Sequence, residues 1–292
     1  MVAAPPAGPP RRSALAGMGF MLASTLSFVG MGICFRLAMQ EGLPLPLLPF
    51  ARGGFTLLLL LPWMLRVGPQ SLATRRPMAH LGRAAAGIGS FMLYLLAIAW
   101  MPLADAIAIM QARPLWALPL AVLLLRERLR ADRVLAALVG FAGVLVIAGP
   151  DGELSAGTMA AVASGITGAL VLISIKHLST TEPPGRVVAW YAVASVLVWG
   201  PVSALVWQTP SAGAVLLLLA GSVLAVAGDW LAQHAARRAE VGLLAPVEYA
   251  AIPASAGFGV LLFGESPGWA LLAGTLLMLA ATLYLLRSGR RG

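Results

Sequence analysis

The chain reads as long apolar runs separated by short polar segments. Runs of membrane-spanning length fall near 14–35, 45–65, 84–101, 103–125, 134–149, 157–175, 187–207, 213–234, 241–263 and 268–286. A helix crosses the hydrocarbon in about 20 residues, so the pattern predicts an all-α integral membrane protein of ten transmembrane helices. Trp100-Met101-Pro102 leaves almost no loop between the third and fourth runs, and the fifth run is short.

Composition strengthens that reading. The 292 residues are 60% hydrophobic and 11% charged, whereas soluble domains carry about a quarter charged residues. Such a chain cannot cover itself with polar surface in water, so lipid is much of its solvent. The net charge of +9 raises nucleic acid as a partner. The basic residues, however, form short clusters between apolar runs, with no stripe and no interleaved aromatics, and nucleic-acid binding is excluded on that ground. The single cysteine, Cys34, has no intrachain partner for a disulfide or a metal-ligand pair and reads as a small helix residue.

The distribution of charge sets the orientation. With the N-terminus inside, every Lys and Arg except Arg36, Arg52 and Arg113 falls in a cytoplasmic segment, while Glu41, Asp151, Glu153 and Glu265 fall outside. That asymmetry is the positive-inside rule, and it places both termini in the cytoplasm. Residues 1–13, rich in Pro and Ala, are expected to be a disordered cytoplasmic tail, and 288–292 a second short tail. Trp100, Trp207 and Trp269 fall at the expected outer boundary and Trp63 at the inner one, depths that suit amphipathic rings. His80, His177 and His234 fall at or beyond the cytoplasmic boundary and read as loop residues.

The ten runs divide near Pro150 into two sets of five, residues 14–150 and 151–287. An odd number per half inverts the second copy in the membrane. Inverted repeats of this kind are a common plan of secondary transporters, with the substrate site near the midplane between the copies. Local similarity is weak: the fourth run closes LPLAVLLLRE at Glu127, the ninth closes SAGFGVLLFGE at Glu265, and Pro114 and Pro253 precede them at slightly different distances. The glycines of the spans, among them Gly17, Gly19, Gly30, Gly32, Gly165 and Gly168, read as close helix contacts.

Two five-span halves, each with a Glu at the end of its fourth helix and a Gly/Ala-rich fifth, resemble the EamA-type ten-helix permeases of the drug/metabolite transporter superfamily. The resemblance is carried by MPLADAIAIMQARPLWALPLAVLLLRERL (101–129), VLAALVGFAGVLVIAGP (134–150) and LLAPVEYAAIPASAGFGVLLFGESP (243–267), and it runs over roughly residues 13–288. It implies a cofactor-free secondary permease of the cytoplasmic membrane. The MPLADA run and the loop at 178–184 are also similar to relatives that take up S-adenosylmethionine or riboflavin.

Ionisable groups within the bilayer cost roughly 2.5–3.5 kcal/mol each on insertion scales and face a cavity or a partner. Five fall inside the expected spans: Arg52, Asp105, Arg113, Asp229 and Glu248. At 1.5 Å per residue, Arg113 lies about 15 Å from the start of the fourth span and Glu248 about 10 Å from the start of the ninth. Arg113 is the candidate for a solute carboxylate and Glu248 for an amine, the alternative being that they only neutralise each other. Tyr249, Trp116, Tyr94, Asp229, Trp230 and Arg52 complete the candidate substrate-binding set. Packing is the competing reading for Tyr249, Trp116 and Tyr94. Pairing with Arg237 or Arg238 is the competing reading for Asp229, and pairing with Glu41 for Arg52. Glu248 and Asp229 are the proton-coupling candidates, protons being the coupling ion if there is one. Asp105 is expected to cap the fourth helix, and Glu127 and Glu265 to be structural.

The sequence lacks the HExxH of a zinc protease, the GxSxG of a serine hydrolase and a phosphate-binding glycine loop, so an intramembrane enzyme is disfavoured and no metal or cofactor is called for. A non-transporting scaffold has no need of opposite charges near the midplane. The reading that remains is a secondary transporter whose partners are a small-molecule substrate and the lipid bilayer. Its first expectation is export of amino acids or related zwitterionic metabolites, and its alternative is uptake of an S-adenosylmethionine-like or riboflavin-like metabolite. The oligomeric state is not legible.

Overall fold

The computed structural model describes residues 11–113, 115–116, 120, 131–148, 155–178, 181–238, 244 and 247–289. Pro114, Glu127, the division near Pro150, the tail before Arg11 and the last three residues lie outside them.

Among the described residues the regular structure is helical: α1 (Arg11–Gln40), α2 (Leu47–Val67), a 3-10 turn (Gly68–Ser71), α3 (Pro77–Trp100), α4 (Leu103–Met110), α5 (Ala131–Ala148), α6 (Ala156–Leu178), α7 (Pro184–Leu205), α8 (Ala212–Ala236), α9 (Ala251–Phe263) and α10 (Trp269–Gly289). The helices at Leu15–Gln40, Leu47–Ser71, Pro77–Trp100, Ala156–Ile175, Pro184–Leu205 and Ala212–Ala235 are long and apolar enough to cross a membrane, and three shorter apolar helices accompany them. Large apolar side chains stay exposed around the bundle, among them Leu65, Leu205, Leu261 and Leu272. Water would not tolerate that belt; lipid does. The chain is a multi-pass membrane protein.

Helix ends follow local chemistry. Pro77 and Pro184 occupy the first turns of α3 and α7, where the missing N–H has no helical partner to lose. Pro77 explains why α3 starts seven residues before the expected span. α1 likewise begins at Arg11, inside the expected tail, and extends to Gln40.

The helices alternate in direction and pack in pairs: α1 on α8, α3 on α6, α2 on α7, α5 on α10 and α4 on α9. Small residues set several of these distances. A Cβ on Gly143 would lie 2.6 Å from the Gly274 carbonyl, so α5 and α10 touch backbone to backbone. Ser90 and Ser164 each donate to the other's carbonyl, at 3.1 and 2.9 Å, between α3 and α6. Ser24 donates to Gly228 O at 2.8 Å between α1 and α8, and Ser195 to Pro49 O at 3.0 Å between α7 and α2.

One end of the bundle, where α1, α3 and α7 begin, carries most of the described arginines; the opposite end carries Glu41 and Glu265. Trp100, Trp207 and Trp269 are exposed at that acidic end. There Glu41 accepts a hydrogen bond from Ser211 at 2.5 Å. At the basic end, Glu182 accepts from Thr74 and from Arg186, both at 2.6 Å. Arg186 also donates to Gln70 O at 2.7 Å. His80, expected in a loop, is instead fully buried in the first turn of α3, stacked on Trp190 with ring centroids 5.2 Å apart.

Burial alone would raise the Glu182 carboxyl, but the Thr74 and Arg186 hydrogen bonds and the Arg186 and His80 charges outweigh it and hold it below the usual carboxylate range. A depressed carboxylate stabilises the fold above its unfolded pKa and loses that contribution as pH falls through its folded value. Glu182→Gln is therefore expected to cost about 2 kcal/mol at neutral pH, read as a lower Tm in detergent. The gap to the unaltered protein should close as pH drops below the usual carboxylate range.

Candidate functional site

The fourth and ninth helices do not run through. α4 ends at Met110, with Gln111 and Ala112 in a turn; the segment before α9 turns at Tyr249 and Ala250. The hydrogen bonds tighten to three-residue spacing at both places: Ala112 N–H to Ile109 O at 3.1 Å, Ala250 N–H to Val247 O and Ile252 N–H to Tyr249 O at 3.0 Å. Pro114 and Pro253 follow the two breaks. A proline removes one backbone donor and disfavours helix in the residue before it. The breaks face each other, and the Gln111 amide donates to the Glu248 carbonyl at 2.7 Å.

A cavity of about 310 Å³ opens beside these breaks, walled by α1, α2, α3, α4, α6, α7 and α8. Arg52, Arg83, Arg113, Asp229 and Glu248 all line it, with Phe28, Phe91, Tyr94 and Tyr191 supplying aromatic surface. Its wall runs from the helix breaks toward the basic end, through Met21, Ile175, Val188 and Ala232. Toward the acidic end the bundle is closed: Phe35, Leu95, Ile98 and Leu103 are fully buried.

Five of the candidate residues thus come together: Arg52, Tyr94, Arg113, Asp229 and Glu248. Arg113 lies against Gly168, where a Cβ would come within 3.2 Å of its Nε, and it is the charge acting on Glu248. Asp229 is acted on by Arg52 and Arg83 rather than by Arg237 or Arg238. Arg52 does not pair with Glu41; its guanidinium lies 4.1 Å from the Phe91 ring centroid and 5.4 Å from that of Tyr191. Among the described residues, none of these cations forms a direct ion pair with either carboxylate.

The other three candidates lie elsewhere. Tyr249 is buried against α10, its hydroxyl 2.8 Å from Thr282 Oγ1. Trp116 packs on Phe141 with centroids 4.4 Å apart. Trp230 is exposed on the outside of the bundle beside His234. The sequence reading missed Arg83, Tyr191, Phe91 and Gln111. The signal for Arg83 was present: Pro77 at a helix start puts Arg83 in the second turn of α3 rather than in a loop.

At the closed end, Glu265 follows α9. Gly264 takes φ +64°, and Glu265 N–H donates to Gly259 O at 3.0 Å, an αL helix ending that glycine favours. The carboxylate lies 2.5 Å from Arg36 Nη1 of α1 and accepts the Leu103 N–H of α4 on both oxygens at 3.0 Å. It fills the place at the head of α4 expected for Asp105, which instead lies in that helix's first turn without capping it.

Helices, interior charges and a cavity at paired helix breaks together define a multi-pass membrane transporter. Residues 15–149 match the EamA-like transporter family. The chain is similar to a riboflavin transporter of Rhizobium johnstonii, 28% identical over 95% of this chain and 93% of that one. It is also similar to an S-adenosylmethionine uptake transporter of Rickettsia bellii, 26% identical over 83% of this chain and 84% of that one. A pseudopaline exporter of Pseudomonas aeruginosa is 28% identical over 70% of this chain and 74% of that one. A solved crystal structure shares the fold at a TM-score of 0.63 and 20% identity, over 96% of this chain and 97% of that one. The first half of the chain thus matches the EamA-like transporter family, and the relatives it resembles along most of its length are named as transporters.

Gly32 is where the Tyr94 hydroxyl rests, and a Cβ there would overlap it. Gly32→Ala is expected to push the Tyr94 ring into the cavity. Solute exchange should then fall about tenfold, on the scale of an interaction of 1–2 kcal/mol, while the elution profile in detergent stays unchanged.

Proposed function

We propose that the protein is a secondary transporter of the cytoplasmic membrane that moves a small polar organic solute by alternating access. One observation carries this reading: a charged, aromatic-lined cavity abuts two facing helix breaks, reaches toward one end of the bundle and is sealed at the other. All ten helices cross the membrane in this reading, as inverted repeats 14–150 and 151–287, with both termini and the basic end in the cytoplasm. The helix pairing supports the repeat. Exchanging α1–α5 with α6–α10 converts the α1–α8 pair into α6–α3 and leaves α2–α7, α4–α9 and α5–α10 unchanged. The same exchange carries the Glu41–Ser211 hydrogen bond at one end onto Glu182–Thr74 at the other.

The solute best supported is a polar molecule with a planar ring, taken up from outside, as for a riboflavin-like or S-adenosylmethionine-like metabolite. The four cavity aromatics support it, and so do the names of the relatives. The second reading is export of an amino acid or related zwitterion, favoured by Arg113 and Glu248 set at opposing helix breaks. A coupling proton would ride on Glu248 or Asp229, the carboxylates that face the cavity.

The purified protein in proteoliposomes should show saturable counterflow of one labelled solute from a panel of riboflavin, S-adenosylmethionine and amino acids. Arg113→Ala should reduce it at least about tenfold, the scale of one charge-assisted contact. No exchange of any solute would refute transport; exchange that survives the substitution would move the site away from Arg113.

Alternating access also requires the sealed end to open, which separates Glu265 from Arg36 and from Leu103. In intact cells, an impermeant thiol reagent should label Thr25→Cys slowly in a Cys34→Ser background. Glu265→Gln should speed that labelling about tenfold, by removing a charged contact that holds the closed state. Unchanged labelling in both Glu265→Gln and Arg36→Gln would rule this gate out.

A further inference from the structure

The charges of the cavity do not balance, and their placement is uneven. Three guanidinium groups, from Arg52, Arg83 and Arg113, face two carboxylates, Asp229 and Glu248. Protonation of either carboxylate would only add to the excess of positive charge. Glu248 and Arg113 belong to the helix breaks. Arg52, Arg83 and Asp229 belong to the side formed by α2, α3 and α8, together with Tyr191 of α7.

That second side is built around Tyr191. The Arg52 and Arg83 guanidinium carbons each lie 5.4 Å from its ring centroid. Gly87 makes room for this arrangement: a Cβ there would meet the Arg83 guanidinium and lie 3.1 Å from the Tyr191 ring. Arg83 Nε and Nη1 are buried and have no hydrogen-bond acceptor. Asp229 acts on both arginines from a distance and pairs directly with neither. Buried guanidinium donors without acceptors are costly, and a ligand that brings acceptors relieves that cost. The planar, five-donor fork of an arginine suits a carboxylate, a phosphate or the carbonyl edge of a planar ring.

We propose that Arg83 and Arg52, set about Tyr191, form an acceptor-binding end of the cavity. This end selects solutes that are neutral or anionic overall and excludes those that are net cationic. The inference rests on the transporter reading for its biological meaning, and its substance is a property of the cavity that can be measured without transport. A clamp of two cations on one side fixes the solute's orientation: the acceptor-rich group lies toward α2, α3 and α7, and any amino group lies toward Glu248. Of the two kinds of planar solute considered for uptake, a neutral flavin-like ring satisfies this end, whereas a molecule carrying a sulfonium cation does not.

The test reads the charge of the empty cavity. Ala232 lines the wall one turn from Asp229, and Ala232→Cys in a Cys34→Ser background provides a reporter thiol. The purified protein in detergent is treated with an anionic sulfonatoethyl and a cationic trimethylammonium-ethyl methanethiosulfonate, and the ratio of the two rates is divided by the same ratio for a free thiol. The normalised anion-to-cation ratio should exceed one, by up to about tenfold, as expected of a cleft whose charge is net positive. It should fall severalfold in Arg83→Gln or Arg52→Gln and rise in Asp229→Asn. Neutral methyl methanethiosulfonate, which transfers a methylthio group to the thiol and releases methanesulfinate, reports whether each variant keeps the thiol reachable, so a misfolded variant is recognised and the other arginine is used. A normalised ratio near one that ignores both arginines would overturn the proposal. So would counterflow of a net cationic solute that is unaffected by Arg83→Gln. A ratio that behaves as expected in a protein that exchanges no solute would keep the acceptor end and sink the transporter reading instead.

Discussion

A backbone that leaves its helix inside a membrane must find other hydrogen-bond partners, because lipid supplies none. That constraint governs the centre of this protein. α4 and the segment leading into α9 both break, and they break against each other. The Gln111 side chain covers the freed carbonyl of Glu248, while short-range bonds absorb other groups at the turns. Because the breaks sit inside the bundle, the polar atoms they expose become the wall of a cavity rather than a defect facing lipid.

The cavity in turn gives the interior charges a place to be. Arg52, Arg83, Arg113, Asp229 and Glu248 would be costly on the lipid face; around one cavity they act on one another. The aromatic rings beside them help hold the cations in place, since a guanidinium over a ring face keeps favourable electrostatics without surrendering its donors. The interior therefore holds unspent hydrogen-bonding capacity, concentrated on Arg83, Arg113 and Tyr94.

The two ends of the bundle are fastened differently. At the acidic end, Glu265 joins α1, α4 and α9 through one carboxylate, and the seal beneath it is apolar. At the basic end, Glu182 fastens α7 to the segment before α3, to one side of the cavity. The two fastenings differ in this way although the helix pairing itself is unchanged when α1–α5 are exchanged with α6–α10.

The sequence by itself determined that the chain lives in lipid, that its apolar runs are helices, where most of them lie, and which charges are anomalous within them. These follow from run length and composition, which are local properties. Arg113, Glu248, Asp229, Arg52 and Tyr94 could be singled out because a charge or a polar ring in an apolar run is conspicuous anywhere. What only the tertiary structure decided was who faces whom. Trp230 and Asp229 are neighbours in sequence, yet one faces outward and the other lines the cavity, since adjacent helical residues point about 100° apart. Arg83 seemed to belong to a loop until the helix starting at Pro77 carried it inward. Glu265 closes on Arg36 from far along the chain. Pairings of that kind depend on how the helices stack, and helix stacking in lipid is set by small-residue contacts and interhelical hydrogen bonds, which apolar runs do not record.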